Sequence, residues 1–241
     1  MKIALVYPIP CDALEVFTSD ILRFARTLAC NPPAQPFVLV PVLSTYRDDT
    51  AKAAWRWVVG AMGESVAHNS LAYSGQGCDI GSHQHAAHAI DADLMVCFST
   101  RVHFHRAGWL KRIVESWEAQ GKNGIGAAMA SCERHPHLRT CCYWMSPELF
   151  RSYPYLVNSR EKTFMFESGE WNISRWVTEM KLPVRMATWD ASYSEPAWRT
   201  PPNIYRRGDQ SNCLVWDRHT DIYAAATPER KRELERYAGD K

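Results

Sequence analysis

The stretch from Ile90 to Val114 limits the fold more than any other part of this chain. Ile90-Asp91-Ala92-Asp93 leads into the apolar run Leu94-Met95-Val96-Cys97-Phe98, and Ser99-Thr100-Arg101 follow at once. A short continuous apolar run reads as a strand buried on both faces, the kind found in a parallel sheet covered by helices. After a loop containing His103 and His105, Trp109 to Val114 opens an amphipathic helix. In open α/β sheets ligands collect just beyond the carboxyl ends of the strands, which puts Ser99, Thr100 and Arg101 at the expected ligand site.

The same alternation runs through the first half. Ile3 to Tyr7 is an apolar run ended by prolines, and Leu14 to Leu28 has apolar residues at helical spacing with Arg23 and Arg26 on the other side. Pro32, Pro33 and Pro36 break that helix; Phe37 to Leu43 reads as a second strand and Lys52 to Met62 as a second helix. His68 to Tyr73 is a weaker strand, followed by the glycine-rich turn Ser74 to Gly81 and a helix through His88. Strands separated by helical stretches predict an α/β fold with a mostly parallel sheet flanked by helices.

The second half is less regular. Gly124 to Met129 opens it, Cys141 to Met145 reads as a strand, and Ser146-Pro147 as a capped helix start. Glu167 to Lys181 reads as one helix, Val184 to Thr188 as a strand, and Thr227 to Tyr237 as a charged helix with acid-base pairs at helical spacing. The expected organisation is a single domain over residues 1–241: a nucleotide-binding half to about residue 122, a less regular half from 123 to about 225, and a terminal helix over 226–241.

With 241 residues, a chain of this kind buries roughly three-quarters of its unfolded surface, so the core needs no covalent staples. A net charge of +2 gives no electrostatic footprint for nucleic acid or an anionic membrane. Met1 to Pro10 is too short an apolar run for a spanning helix or a signal peptide, so the chain reads as cytoplasmic. Eight cysteines without a C-x-x-C pair fit reduced, buried thiols better than disulfides or zinc.

Taken in order, several segments between Val38 and Val184 resemble a glycosyltransferase of the GT-A fold, in the inverting group that includes the family 2 enzymes. They are Ser44 to Asp49 after the second strand, the Gly77 to Gly81 turn, the central strand with the Trp109-Leu110 helix, Gly124 to Ala128, and Ser168-Gly169-Glu170 with Ile173 to Arg175. The resemblance implies transfer of a sugar from a nucleotide-diphosphate sugar to a carbohydrate or other hydroxyl acceptor. It places the base or ribose at Ser44, Thr45, Asp48 and Asp49, whose carboxylates accept from a uracil N–H or a ribose hydroxyl. Asp79, in the glycine-rich turn, faces donor sugar or nucleotide on this reading; a plain helix cap explains it equally well.

The family's D-x-D motif ends the central strand and holds Mn2+ or Mg2+ on the diphosphate, but Phe98-Ser99-Thr100 stand there. Asp91 and Asp93 match the letters of the motif ahead of the strand, where a turn into the strand accounts for them; metal dependence stays open. Without a metal, Arg101, His103, His105, Arg206 or Arg207 must offset the diphosphate charge. The family's general base lies in an E-D pair at a helix start. Here Glu170 matches the Glu and Trp171 replaces the Asp, with Glu167 as the second candidate base. His137, Arg139 and Trp171 fall on the acceptor-facing stretch. Two other readings remain: a GT-A-like protein that binds nucleotide or glycan without turnover, and a zinc hydrolase using His83, His85, His88, His103 and His105.

Overall fold

The computed structural model describes residues 1–44 and 69–238, together with the single positions 56 and 60. Its centre is an eight-stranded sheet in the order β10-β9-β5-β8-β4-β1-β2-β3. The strands are β1 (Ile3–Pro10), β2 (Val38–Ser44), β3 (Leu71–Tyr73), β4 (Leu94–Phe98), β5 (Ile125–Ala127), β8 (Cys142–Met145), β9 (Val184–Ala187) and β10 (Ser192–Tyr193). A small hairpin, β6 (Ala130–Ser131) with β7 (His137–Leu138), lies outside it. The β1–β2, β1–β4, β2–β3 and β5–β9 pairings are parallel; β8 runs antiparallel to both β4 and β5, and β10 antiparallel to β9.

Side chains alternate across the sheet with period two, and the core divides accordingly. Leu5, Tyr7, Leu94, Val96 and Phe98 face helix α1 (Leu14–Cys30) and helix α3 (Trp109–Ala119), packing on Phe24, Trp109 and Ile113. Val6, Met95 and Cys97 face the other way, toward α2 (Cys78–Ala89) and α4 (Pro147–Arg151), α5 (Arg160–Ser168) and α6 (Ile173–Glu179). Every residue of β4 is buried, as a strand covered on both faces demands. Trp109, Trp117 and Trp144 are wholly buried, and all eight cysteines are free thiols. The chain ends in α7 (Arg218–Ala224) and α8 (Pro228–Ala238); no described helix is long and apolar enough to cross a membrane.

The expected helix over Glu167 to Lys181 is two helices. Gly169 is packed so closely on Met165 that an added Cβ would come within 2.8 Å of its Cα, and Asn172 then starts α6 by accepting from the Arg175 N–H at 3.1 Å. The Asn172 amide also donates to the Gly169 carbonyl at 3.0 Å and to the Pro136 carbonyl at 3.4 Å, fixing the turn. Ser168, Gly169 and Asn172 are poor interior helix residues, and the cap turns that weak point into a break. The expected helix over Lys52 to Met62 lies outside the described residues.

Candidate active site

Polar groups gather at the carboxyl ends of β1 and β4, where the amino end of α2 meets them. The buried Tyr7 hydroxyl donates to the Thr100 carbonyl at 2.7 Å. Thr100 Oγ1 donates to the Pro8 carbonyl at 3.2 Å and to Asp79 Oδ1 at 3.4 Å. Two carboxyl groups share this corner. Burial, reinforced by the charge of Glu167, pushes Asp79 up to about 7, against the opposing pull of Thr100 and Arg101. Burial also raises Glu167, against the Thr140 hydroxyl that donates to its Oε1 and the Arg139 guanidinium. Cys78 lies with them: the charges of Asp79 and Glu167 add to burial in raising its thiol.

His83 fixes the framework. Burial pushes it down to about 3, so the ring is neutral. The Phe98 carbonyl only accepts; Nε2 therefore carries the proton and donates to it at 2.9 Å, while Nδ1 accepts the Tyr143 hydroxyl at 3.0 Å. One imidazole thus ties α2 to the end of β4 and to β8. The glycines of the nearby turn serve packing: a Cβ on Gly77 would meet the Val157 carbonyl oxygen at 2.0 Å, and one on Gly81 the Tyr73 hydroxyl at 2.1 Å.

The other residues singled out by sequence fall in distinct places. Arg101 donates from Nε to Asp20 at 3.2 Å and lies 4.7 Å from the centre of the Phe17 ring. Ser99 donates its N–H to the Cys141 carbonyl, and Ser44, at the end of β2, shares a 2.7 Å hydrogen bond with Ser82. Thr45, Asp48 and Asp49 lie outside the described residues. Asp91 and Asp93 sit at the opposite, amino end of β4: Asp91 pairs with the Lys2 ammonium at 2.5 Å and Asp93 accepts the Lys2 N–H at 2.6 Å. Glu170 is exposed and pairs with Arg175 at 3.7 Å, and the Arg175 guanidinium lies 3.9 Å from the centre of the exposed Trp171 ring. His137 is buried in β7 and donates from Nδ1 to the His135 carbonyl at 2.7 Å.

Arg139 links the corner to the end of the chain, donating to the Tyr205 hydroxyl at 2.9 Å and to Asp217 at 3.0 Å. Although burial disfavours its charge, Tyr205 and Asp217 hold its pKa above the usual arginine value. Arg206 is buried and pairs with Glu133 at 3.4 Å, while Arg207 is exposed and lines a separate cavity. Thr140, Tyr143 and Cys78 escaped the sequence reading, since their partners lie far away in the chain.

Among the described residues no group of three or more His, Cys, Asp or Glu side chains is placed to ligate a metal ion, and Ser99 and Thr100 stand directly after β4.

No family model and no curated protein matches the sequence. Solved structures do match the fold. The mannosyltransferase PcManGT of Pyrobaculum calidifontis, solved with GDP-Man and Mn2+, superposes with a TM-score of 0.53 at 11% identity, over 85% of this chain and 59% of that one. The galactosyltransferase LgtC, solved with donor and acceptor sugar analogues, gives 0.52 at 12% identity over 99% of this chain and 97% of its own. The chain has the GT-A fold. A CMP:2-keto-3-deoxy-manno-octonic acid synthetase solved with CTP is similar at a TM-score of 0.50 and 10% identity, over 77% of this chain and 89% of its own. This chain spans under two-thirds of the mannosyltransferase's length. Within the GT-A frame, the Asp79–Glu167 corner lies at the carboxyl ends of the central strands, where ligands of open α/β sheets bind.

The raised Asp79 carboxyl has a measurable consequence. Its pKa is near 4 in the unfolded chain and about 7 in the fold, so between those values the native state holds the extra proton and stability falls as pH rises. Asp79→Asn is expected to raise the melting temperature at pH 8 and to leave it unchanged at pH 4. Equal pH slopes for both proteins in thermal unfolding would show that Asp79 is not held this way.

Proposed function

We propose that this chain is an inverting glycosyltransferase that moves a sugar from a nucleotide-diphosphate sugar to a hydroxyl acceptor. The observation that carries this reading is the pair Asp79 and Glu167 at the carboxyl ends of β1 and β4, in a fold also found in nucleotide-sugar transferases. Glu167 is the general base, oriented by the Thr140 hydroxyl. It takes the acceptor hydroxyl proton as that oxygen attacks the anomeric carbon. A new glycosidic C–O bond forms, the C–O bond to the β-phosphate breaks, and the electron pair leaves on the nucleoside diphosphate. Asp79, protonated near neutrality, donates a hydrogen bond beside the base without adding a second negative charge. Arg101, next to Thr100, offsets charge on the departing diphosphate.

A second reading, nucleotide or glycan binding without turnover, is favoured by the absence of a carboxylate at the end of β4. One experiment opens the test: thermal unfolding against nucleoside diphosphates and their sugars, with and without Mn2+. A donor at a hundredfold its dissociation constant adds about 2.7 kcal/mol to stability. A shift with one nucleotide class followed by product formation supports transfer; a shift with no product under varied acceptors supports the binding reading. No shift with any nucleotide, with or without the metal, would remove the transfer reading and leave only the glycan-binding form of the second.

A further inference from the structure

Arg101 stands just past the carboxyl end of β4, and helix α1 holds it in two ways. Asp20 accepts from its Nε at 3.2 Å, and the guanidinium lies over the Phe17 ring, 4.7 Å from the ring centre. Phe17 and Asp20 are three residues apart, so one face of α1 presents both holds. We propose that Asp20 is a positioning residue: from α1 it aims the Arg101 guanidinium, laid on Phe17, at the β-phosphate of a bound nucleoside diphosphate. It rests on the donor reading of the same corner and adds how the cation there is oriented.

A guanidinium can meet phosphate oxygens along its Nε edge or end-on through its two terminal nitrogens. Asp20 occupies the Nε N–H, and among the described residues neither terminal nitrogen of Arg101 makes a hydrogen bond. The end-on edge is therefore the one left for a ligand. Electrostatics place the pair beside the corner. Burial and the charge of Glu167 raise the Asp79 carboxyl, and Arg101 is among the groups that pull it back. Burial likewise raises the Tyr7 hydroxyl, with the charges of Asp79 and Asp20 adding to it, so both carboxyl groups lie within reach of that one hydroxyl. The Arg101 side chain is 30% exposed and that of Asp20 27%, so a ligand can reach them. At such exposure an unheld arginine samples many rotamers, and ordering it on binding costs affinity; one already held by Asp20 is spared that cost. The Asp20 charge works the other way, repelling a phosphate. Substitution separates the two effects: Asn keeps an oxygen for Nε without the charge, and Ala keeps neither.

Wild type, Asp20→Ala, Asp20→Asn, Arg101→Met and the Asp20→Ala/Arg101→Met double variant, each checked for an unchanged unfolding transition, are titrated calorimetrically. The probes are UDP, GDP, ADP, CDP and dTDP with their monophosphates. The preference for diphosphate over monophosphate is the readout, because a general loosening of the fold weakens both alike. Arg101→Met is expected to cut that preference about tenfold or more, the worth of hydrogen bonds to a charged group. Asp20→Ala is expected to cut it about two- to tenfold, the cost of ordering one long side chain, and Asp20→Asn to return it to the wild-type level or above. In the Arg101→Met background, Asp20→Ala is expected to change nothing further. An Asp20→Ala protein that prefers the diphosphate as strongly as wild type would overturn the positioning role and leave the transfer reading standing, as would a further loss in the double variant. If no diphosphate binds the wild type, the positioning role and the transfer reading fall together. If Asp20→Ala does not fold, Asp20→Ser, whose oxygen falls short of Nε, takes its place with the same expected loss.

Discussion

Glu167→Gln is expected to lower kcat by about 10²- to 10⁴-fold, the usual contribution of a positioned general base, while donor binding stays within a few-fold of wild type. The amide keeps the shape of the side chain and still offers an oxygen to the Thr140 hydroxyl; what it loses is the ability to take a proton. Thr140→Val should lower kcat less, because it leaves the carboxylate present but unheld. Glu170→Gln should leave kcat near wild type, since Glu170 lies exposed beside Arg175. Steady-state kinetics of the three variants, with donor affinity measured by titration, give the comparison. A Glu170→Gln enzyme that is dead beside an active Glu167→Gln enzyme would move the base to the other side of the Gly169 turn.

Arg139→Met is expected to cost about 3–5 kcal/mol in urea unfolding, the range for removing one partner of a buried ion pair. Asp217, only 4% exposed at its side chain, would be left charged with its guanidinium gone. Although burial favours its neutral form, Arg139 and the N–H groups of α7 hold Asp217 below the ordinary carboxylate pKa. Its contribution to stability is therefore complete above about pH 4, the unfolded value, and is lost as pH falls through the lower folded value. The variant should lose that acid-side slope along with its stability. Unfolding free energies of both proteins between pH 7 and the lowest pH at which the wild type stays folded check this; a loss under 1 kcal/mol would mean the pair contributes no more than an exposed one.

Much of the frame was legible because burial writes itself into composition. The apolar runs of β1 and β4 admit few readings other than doubly covered strands, and Ser146-Pro147 starts a helix where local chemistry says it should. The break between α5 and α6 was missed although its signals are local, Gly169 and the Asn172 side chain that caps Arg175 three residues on, with the Pro136 carbonyl only a longer added tie. A distance effect governs the site. Asp79 and Glu167 stand out as acids in the right segments, but their shared corner depends on Thr140 and Thr100, which nothing in local sequence marks as partners. Arg206 shows the opposite case: an Arg-Arg pair after prolines suggests a phosphate loop, while in the fold Arg206 is drawn inward by Glu133 and by Tyr205, whose ring centre lies 5.0 Å away.

The position of β8 bears on how the molecule comes into being. It lies between β4 and β5, yet both precede it in the chain, and its register joins Met95 to Met145 and Phe98 to Cys142. Until residue 145 has left the ribosome, β4 presents a bare row of N–H and C=O groups along an apolar strand, the surface on which unfinished chains stick to one another. The first half of the chain is thus never a finished object in its own right: a late segment must enter the middle of the sheet before β4 and β5 are joined.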